Sequence, residues 1–352
     1  MKPLAQLSRK MPDASALQEM ANKLEKKYTF QDAPPRTVSL SFYDSFDWRL
    51  YSDGLLCFQQ GNRLFLTDMM GRELVPSILS FGQAPGFCWN LPDSALKQKL
   101  ASVLEMRTLL LQTSFSRTTR QLRVLNKDEK TVAMLMFSEL IAENGQLVCS
   151  VHLHEVRSYG KWFQRLKQDL EKFGSPQPCT REHDLKTTLA LQGRTPQDYS
   201  SKFTVTLKAD MDGRTAAKAI YRHLLNTMQE NEQGIIDDLD SEFLHDFRVA
   251  IRRTRSGLDM IKKVLEPKVT ARFKKEFRYL GKVTGPVRDL DVYLLMEDDY
   301  KARLPDHLQK GLRYFFDDLT AQRKKEQEKL VQALQSSQYK TIIKDWKKHP
   351  NT

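Results

Sequence analysis

The chain has 352 residues, 40% of them hydrophobic and 28% charged, which is enough apolar material to bury cores and not the composition of a disordered polymer. Its net charge of +12 favours anionic partners without choosing among nucleic acid, phosphate chains, acidic proteins and lipid headgroups. The four cysteines include no C-x-x-C pair, which argues against a zinc or redox motif, and no run of about 18 apolar residues offers a membrane span.

No apolar stretch follows Met1-Lys2, so no secretory leader is expected; a cytoplasmic protein with free thiols is the default. The length suits two domains better than one. Residues 1–35 are read as a helical extension. Six short runs rich in apolar and β-favouring residues follow, at 38–43, 54–58, 63–67, 121–125, 131–137 and 147–154. Turn signals such as Asp53-Gly54, Asn126-Lys127-Asp128 and Asn144-Gly145 punctuate them. Helical patches at 94–105 and 158–173 interrupt the strands, so an antiparallel sheet with helices packed on it, the α+β class, is expected for 36–195. Prolines 176, 178 and 196 with Gly193 mark a boundary within 174–201. Beyond Asp212 the apolar spacing is helical: 213–229, 241–265, 269–284, 290–300, 308–335 and 338–347. Short loops between these segments favour an all-α antiparallel bundle.

In the N-terminal part, Asp44, Asp47 and Arg49 are read as turn and ion-pair residues, and Trp48, Trp89 and Trp162 as core or interface aromatics. Arg107, Arg117, Arg120 and Arg123 are taken as a solvated strand face, with a residual anion pocket as the alternative, and His152 and His154 as surface histidines rather than metal ligands. No cofactor and no metal are expected.

The sharpest feature is HDFRVAIRRTR, His245 to Arg255. On a helix, His245, Arg248, Arg252 and Arg255 fall within roughly 80° of one another. Phe247, Ile251, Leu258 and Leu265 form a separate stripe about 110° away. One stripe can pack while its neighbour presents cations. The next helix repeats the arrangement, with Phe273, Phe277 and Leu280 apolar and Lys275, Arg278 and Lys282 on another face. Gly285-Pro286 then breaks the helix, and VRDLDV sets Arg288 beside Asp289 and Asp291. From His245 to Arg288 thirteen Lys and Arg stand against four Asp and Glu, a surplus of nine positive charges. Like charges stacked at i, i+3 and i+4 cost helix stability, so a counter-anion is expected. The planar fork of arginine matches phosphate oxygens.

Two resemblances follow from these residues. The runs HDFRVAIRRTRSGL and FRYLGKVTGPVRDLDVYLL resemble the CHAD domain, the conserved-histidine α-helical domain, over 202–352. That resemblance implies a helical bundle with a basic groove that binds inorganic polyphosphate. Transferred to this sequence, and joined to the basic face of the second helix, it nominates His245, Arg248, Arg252, Arg253, Arg255, Lys275, Arg278, Lys282 and Arg288, with Asp289 and Asp291 as further motif positions. The family usually has two four-helix bundles, and 202–352 is expected to hold the first only. The run SFYDSFDWRLYSDGLL at 41–56, with FCWNLP at 87–92 and MRTLLL and RQLRVLNKDEKTV between 106 and 132, is similar to CYTH-like domains, the triphosphate tunnel fold. It implies a barrel-type antiparallel sheet over 36–195. Active members carry an E-x-E-x-K strand near the N-terminus. No such triplet stands before Tyr43, where SLSF occupies 39–42, so a degenerate, non-catalytic domain is expected.

The expectation is therefore a polyphosphate-binding protein, cytoplasmic and associated with polyphosphate granules, not an enzyme. The alternatives are a CYTH-type hydrolase of triphosphate or polyphosphate and a nucleic-acid binder. The last is disfavoured because the basic helices lack interleaved stacking aromatics.

Overall fold

The computed structural model describes residues 5–79, 86–261 and 264–351, apart from the side chains at 306, 310, 350 and 351. The chain divides into two compact units, Met1–Asp198 and Tyr199–Thr352.

The first unit runs β1 (Gln6–Met11), α1 (Ala14–Glu25), β2 (Thr29–Asp32), β3 (Arg36–Asp44), α2 (Arg49–Ser52), β4 (Leu55–Gln60), β5 (Arg63–Asp68), β6 (Ile78–Leu79), α3 (Ala95–Leu104), β7 (Leu110–Leu125), β8 (Thr131–Ala142), β9 (Leu147–Glu155), α4 (Gly160–Leu170), β10 (Ser175–Pro176) and α5 (Arg181–Leu191). All strands join one antiparallel sheet in the order β10-β1-β9-β8-β7-β3-β4-β5-β6, with β2 on β7. The expected α+β class holds, but the sheet is open rather than closed into a barrel. The segment 1–35 is not a helical extension: β1 lies between β9 and β10, pairing Gln6 with His154 and Arg9 with Pro176. The expected strand at 121–125 is only the end of β7, whose first half pairs with β3 from Leu110 to Thr119.

Local chemistry explains the element boundaries. Asp13, Ser94 and Thr180 accept hydrogen bonds from the N–H of Ala16, Lys97 and His183, which caps α1, α3 and α5. Gly145 takes φ +79° in the β8–β9 turn, a conformation that costs a glycine little. The proline-marked stretch 174–201 contains helix α5, whose Leu185 and Leu189 bury against Leu40, Phe42, Trp48 and Phe115. Alternating apolar residues of β7, β8 and β9 bury on the opposite side against α1 and α4, through Leu17, Met20, Phe163 and Leu166.

The second unit is helical: α6 (Gly213–Ile236), α7 (Ser241–Met260), α8 (Pro267–Val283), α9 (Gly285–Leu295), α10 (Glu297–Ala302), α11 (Asp306–Gln335) and α12 (Ser337–Asn351). The helix expected at 290–300 is two, divided at Met296. The one expected at 241–265 stops at Met260, and positions 262 and 263 lie outside the described residues. Asp212 and Asp240 cap α6 and α7 through their carboxylates. A Cβ at Gly234 would stand 2.2 Å from the Phe243 ring, so only glycine lets α6 and α7 come this close. Trp346 sits at the centre of the core, its ring centroid 5.2 Å from Tyr221, 4.7 Å from Phe273 and 5.2 Å from Phe277. Arg323 of α11 reaches Asp238 and Asp291, the latter at 2.9 Å. Asp291 therefore ties α9 to α11. Among the described residues no helix is long and apolar enough to cross a membrane.

Candidate functional site

The apolar stripe of α7 does what its spacing predicts: Phe247, Ile251 and Leu258 are buried. That packing turns the neighbouring face of α7 toward the junction of α8 and α9. His245, Arg248, Arg252 and Arg255 line a concavity there, of about 310 Å³, closed by Gly281, Thr284 and Arg288. Arg248 donates its Nη1 protons to the Gly281 carbonyl at 3.2 Å and to Thr284 Oγ1 at 2.9 Å. The Thr284 hydroxyl in turn donates to the Leu280 carbonyl at 2.8 Å. Arg288 Nη1 reaches the Ser241 carbonyl at 3.4 Å and stands 3.8 Å from the Glu242 carboxylate.

Several arginines of the described residues have carboxylate partners, as Arg117, Arg272 and Arg323 do. Among the described residues Arg248, Arg252 and Arg255 make no salt bridge. Burial disfavours the charged form of Arg248, and the neighbouring Arg288 and Arg252 add to this, against Asp289. Burial also holds His245 below the usual histidine range; Arg288 and Arg252 push the same way, while Glu242 and Asp246 oppose them. The concavity therefore holds arginine cations and a neutral imidazole in want of negative charge.

Five of the nine nominated residues share this concavity: His245, Arg248, Arg252, Arg255 and Arg288. The other four do not line it. Arg253 lies with its guanidinium over the Phe203 ring at 5.0 Å. Lys275, Arg278 and Lys282 are exposed on α8, turned roughly 60–120° from Gly281. Arg278 and Arg255 both act on Asp259, which Lys274 pairs at 2.5 Å. Thr284 and Gly281 were missed. Their contribution is a hydroxyl and a bare backbone, and the only trace in the sequence is a glycine inside an otherwise cationic helix.

The N-terminal unit has its own concavity, of about 370 Å³, walled by Arg117, Ser150, His152, Cys179, Arg181, His183 and Asp184 among others. Arg117 grips Asp184 with both terminal nitrogens, at 2.6 and 3.0 Å. His152 is no surface residue: burial, then Arg117, pushes it down to about 4, and its ring nitrogens meet Ser150 Oγ at 3.1 Å and Cys179 Sγ at 3.6 Å. Burial lowers His154 as well. The solvated strand face expected of the arginines is also corrected. Arg107 is fully buried, 3.4 Å from the Asp47 carboxylate, and Arg120 pairs with Asp32 at 2.6 Å. Only Arg123 is exposed, bonded to Thr131. Asp44 accepts from the N–H groups of Leu50 and Tyr51 at 2.9 and 2.8 Å, while Asp47 pairs with Arg49 at 3.2 Å. Trp48 is buried, but Trp89 is 49% exposed and stacked on Phe87. The first strand of the sheet is β1, not the segment before Tyr43, and its alternate positions are Gln6, Ser8 and Lys10. Among the described residues no group of three or more His, Cys, Asp or Glu side chains gathers to hold a metal ion.

Residues 219–351 match the CHAD domain family. Among curated proteins none matches the chain in sequence. Solved structures similar to it include HpAC1 from Hippeastrum, named for adenylyl cyclase and described as having a dominant triphosphatase activity. It is 12% identical at TM-score 0.35, covering 56% of this chain and 100% of its own. Another is a protein of Bacillus halodurans named for adenylate cyclase, 12% identical at TM-score 0.31, covering 49% of this chain and 92% of its own. The expectation that the chain is not an enzyme is withdrawn, because the solved structures similar to it include one described as a triphosphatase.

Proposed function

Taking the CHAD domain at residues 219–351 as the premise, we propose that the concavity between α7 and the α8–α9 junction binds inorganic polyphosphate. The observation that supports this reading is the set of three arginines on one face that make no salt bridge among the described residues, beside a half-buried histidine. Arginine forks bind phosphate oxygens through paired N–H donors, and a chain of phosphates offers successive anions to residues one helical turn apart. Titration with phosphate chains of defined length, in competition with single-stranded nucleic acid at fixed salt, tests the reading. Polyphosphate should win; nucleic acid binding as tightly would overturn it.

The salt dependence follows. If three or four cations each neutralise a phosphate, the logarithm of affinity should fall with log salt at a slope of about −2 to −4, by analogy with counterion release on nucleic acids. An affinity flat between 50 and about 200 mM salt would contradict a multidentate polyanion site.

The pH dependence has a definite sign. Because burial lowers His245 in the free protein, the folded chain binds fewer protons than the unfolded chain as pH falls below about 6.5, and loses stability through that window. A bound polyanion favours the imidazolium instead, so affinity should rise as pH drops from 7.5 toward 5.5. Long phosphate chains are the suitable probe, since their few end groups contribute little titration of their own. His245→Gln should abolish the rise; an unchanged pH profile in that variant would remove His245 from the site.

A second reading concerns the N-terminal unit, where Arg117, Arg181, His152 and His183 wall a concavity. The two arginines of this wall, both paired with Asp184 in the free chain, supply the cations for a triphosphate site, and hydrolysis of a triphosphate is the activity to test there. Phosphate release from triphosphate with Mg²⁺ or Mn²⁺, in the parent and in Arg117→Ala, tests it. Turnover lost in the variant supports the reading, and no turnover in the parent discards it.

A further inference from the structure

We propose that Thr284 and Gly281, on the far wall of the α7 concavity, are positioning residues that aim Arg248 and Arg255 at the polyanion; the inference rests on the reading of that concavity as a polyphosphate site. The geometry is specific. Both Nη1 protons of Arg248 are taken up by the Gly281 carbonyl and the Thr284 hydroxyl. Its Nε and Nη2 protons make no bond to the described residues and are left for a ligand. An arginine side chain free at all its torsions would lose considerable rotamer entropy on binding; one already clamped at Nη1 loses less. Thr284 is itself fully buried and fixed by its bond to the Leu280 carbonyl. Its hydroxyl therefore cannot rotate away, and its lone pairs stay turned to Arg248.

Gly281 acts by what it lacks. A Cβ there would stand 3.3 Å from Arg255 Nη1, tight enough to displace the guanidinium by a few tenths of an ångström. Glycine inside a helix is a cost to stability compared with alanine. A glycine in α8, directly under a guanidinium, is consistent with a site that needs the space. The two residues thus set both arginines from the opposite helix, the first by a clamp and the second by clearance.

The experiment compares polyphosphate affinity and melting temperature of full-length parent, Thr284→Val, Thr284→Ser, Gly281→Ala and Arg252→Ala. Thr284→Val keeps the volume and removes the acceptor, and should weaken binding roughly tenfold. Thr284→Ser restores the hydroxyl and should bind as the parent does, a rescue that a purely space-filling role would not give. Gly281→Ala should weaken binding severalfold with an unchanged or higher melting temperature, since alanine favours the helix. Should Thr284→Val fail to fold, Gly281→Ala and Thr284→Ser decide alone. If Thr284→Val and Gly281→Ala bind as tightly as the parent while Arg252→Ala does not, the positioning role is overturned and the polyphosphate site stands. If the parent itself does not bind polyphosphate, the site is overturned and the positioning role with it.

Discussion

Replacing Arg248 and Arg252 together with alanine is expected to weaken polyphosphate binding at least a hundredfold. Each charge-assisted bond is worth about 1.5–3 kcal/mol, so losing two amounts to roughly 3–6 kcal/mol, and each 1.4 kcal/mol is tenfold. The two substitutions differ in their effect on the free protein. Arg252 is exposed and makes no salt bridge among the described residues, so its removal relieves repulsion within the row and leaves the melting temperature equal or higher. Arg248 donates to the Gly281 carbonyl and to buried Thr284. Its loss leaves those acceptors short of a donor and costs about 1 kcal/mol. Isothermal titration of both singles and the double, with melting curves of the free proteins, checks the whole pattern. A double variant that binds like the parent removes the ligand from this face of α7.

Trp346→Ala is expected to be the most damaging single change in the helical unit, destabilising it by about 3–5 kcal/mol. The ring is fully buried and meets Tyr221 of α6 and Phe273 and Phe277 of α8 at centroid distances of 4.7–5.2 Å. Truncation opens a cavity among three helices that cannot all close upon it. The indole N–H has no acceptor among the described residues, so Trp346→Phe should cost much less, because it removes an unsatisfied donor along with part of the ring. Urea unfolding followed at a probe in this unit measures both; equal losses for Phe and Ala would mean that the orphan N–H carries no penalty.

How much of this was legible in the sequence depends on where each signal lies. The row from His245 to Arg255 could be read because its cations and its apolar residues share one helix, so periodicity alone separates the faces. Arg288 joined it through a local motif. Arg253, Lys275, Arg278 and Lys282 were overcounted, because net charge along a segment does not say which charges face the same space. Thr284 and Gly281 could not be read, since their chemistry is one hydroxyl and one missing methyl group. In the N-terminal unit α5 was hidden by flanking prolines, and β1 by a run, Gln6–Met11, whose two adjacent cations mask its pattern. With β1 unplaced, the segment before Tyr43 stood in for the first strand, whose alternate positions are Gln6, Ser8 and Lys10. His152 looked like a surface residue because some of its neighbours, Cys179 and Asp184, come from a distant part of the sequence.

The place of β1 has a consequence for how the protein is made. Its partner β9 lies about 140 residues further along, and β10 further still. At about 5–20 residues per second, a ribosome needs roughly 7–30 s to bring β9 out after β1. Throughout that interval β1 is an unpaired strand with both edges free. Charged side chains discourage such a strand from pairing with other chains, and Arg9 and Lys10 supply them. In the finished sheet Arg9 turns to donate to the carbonyls of Glu171, Phe173 and Gly174. The guanidinium that guards the nascent strand thus becomes the clasp that fastens the turn after α4 to the first strand.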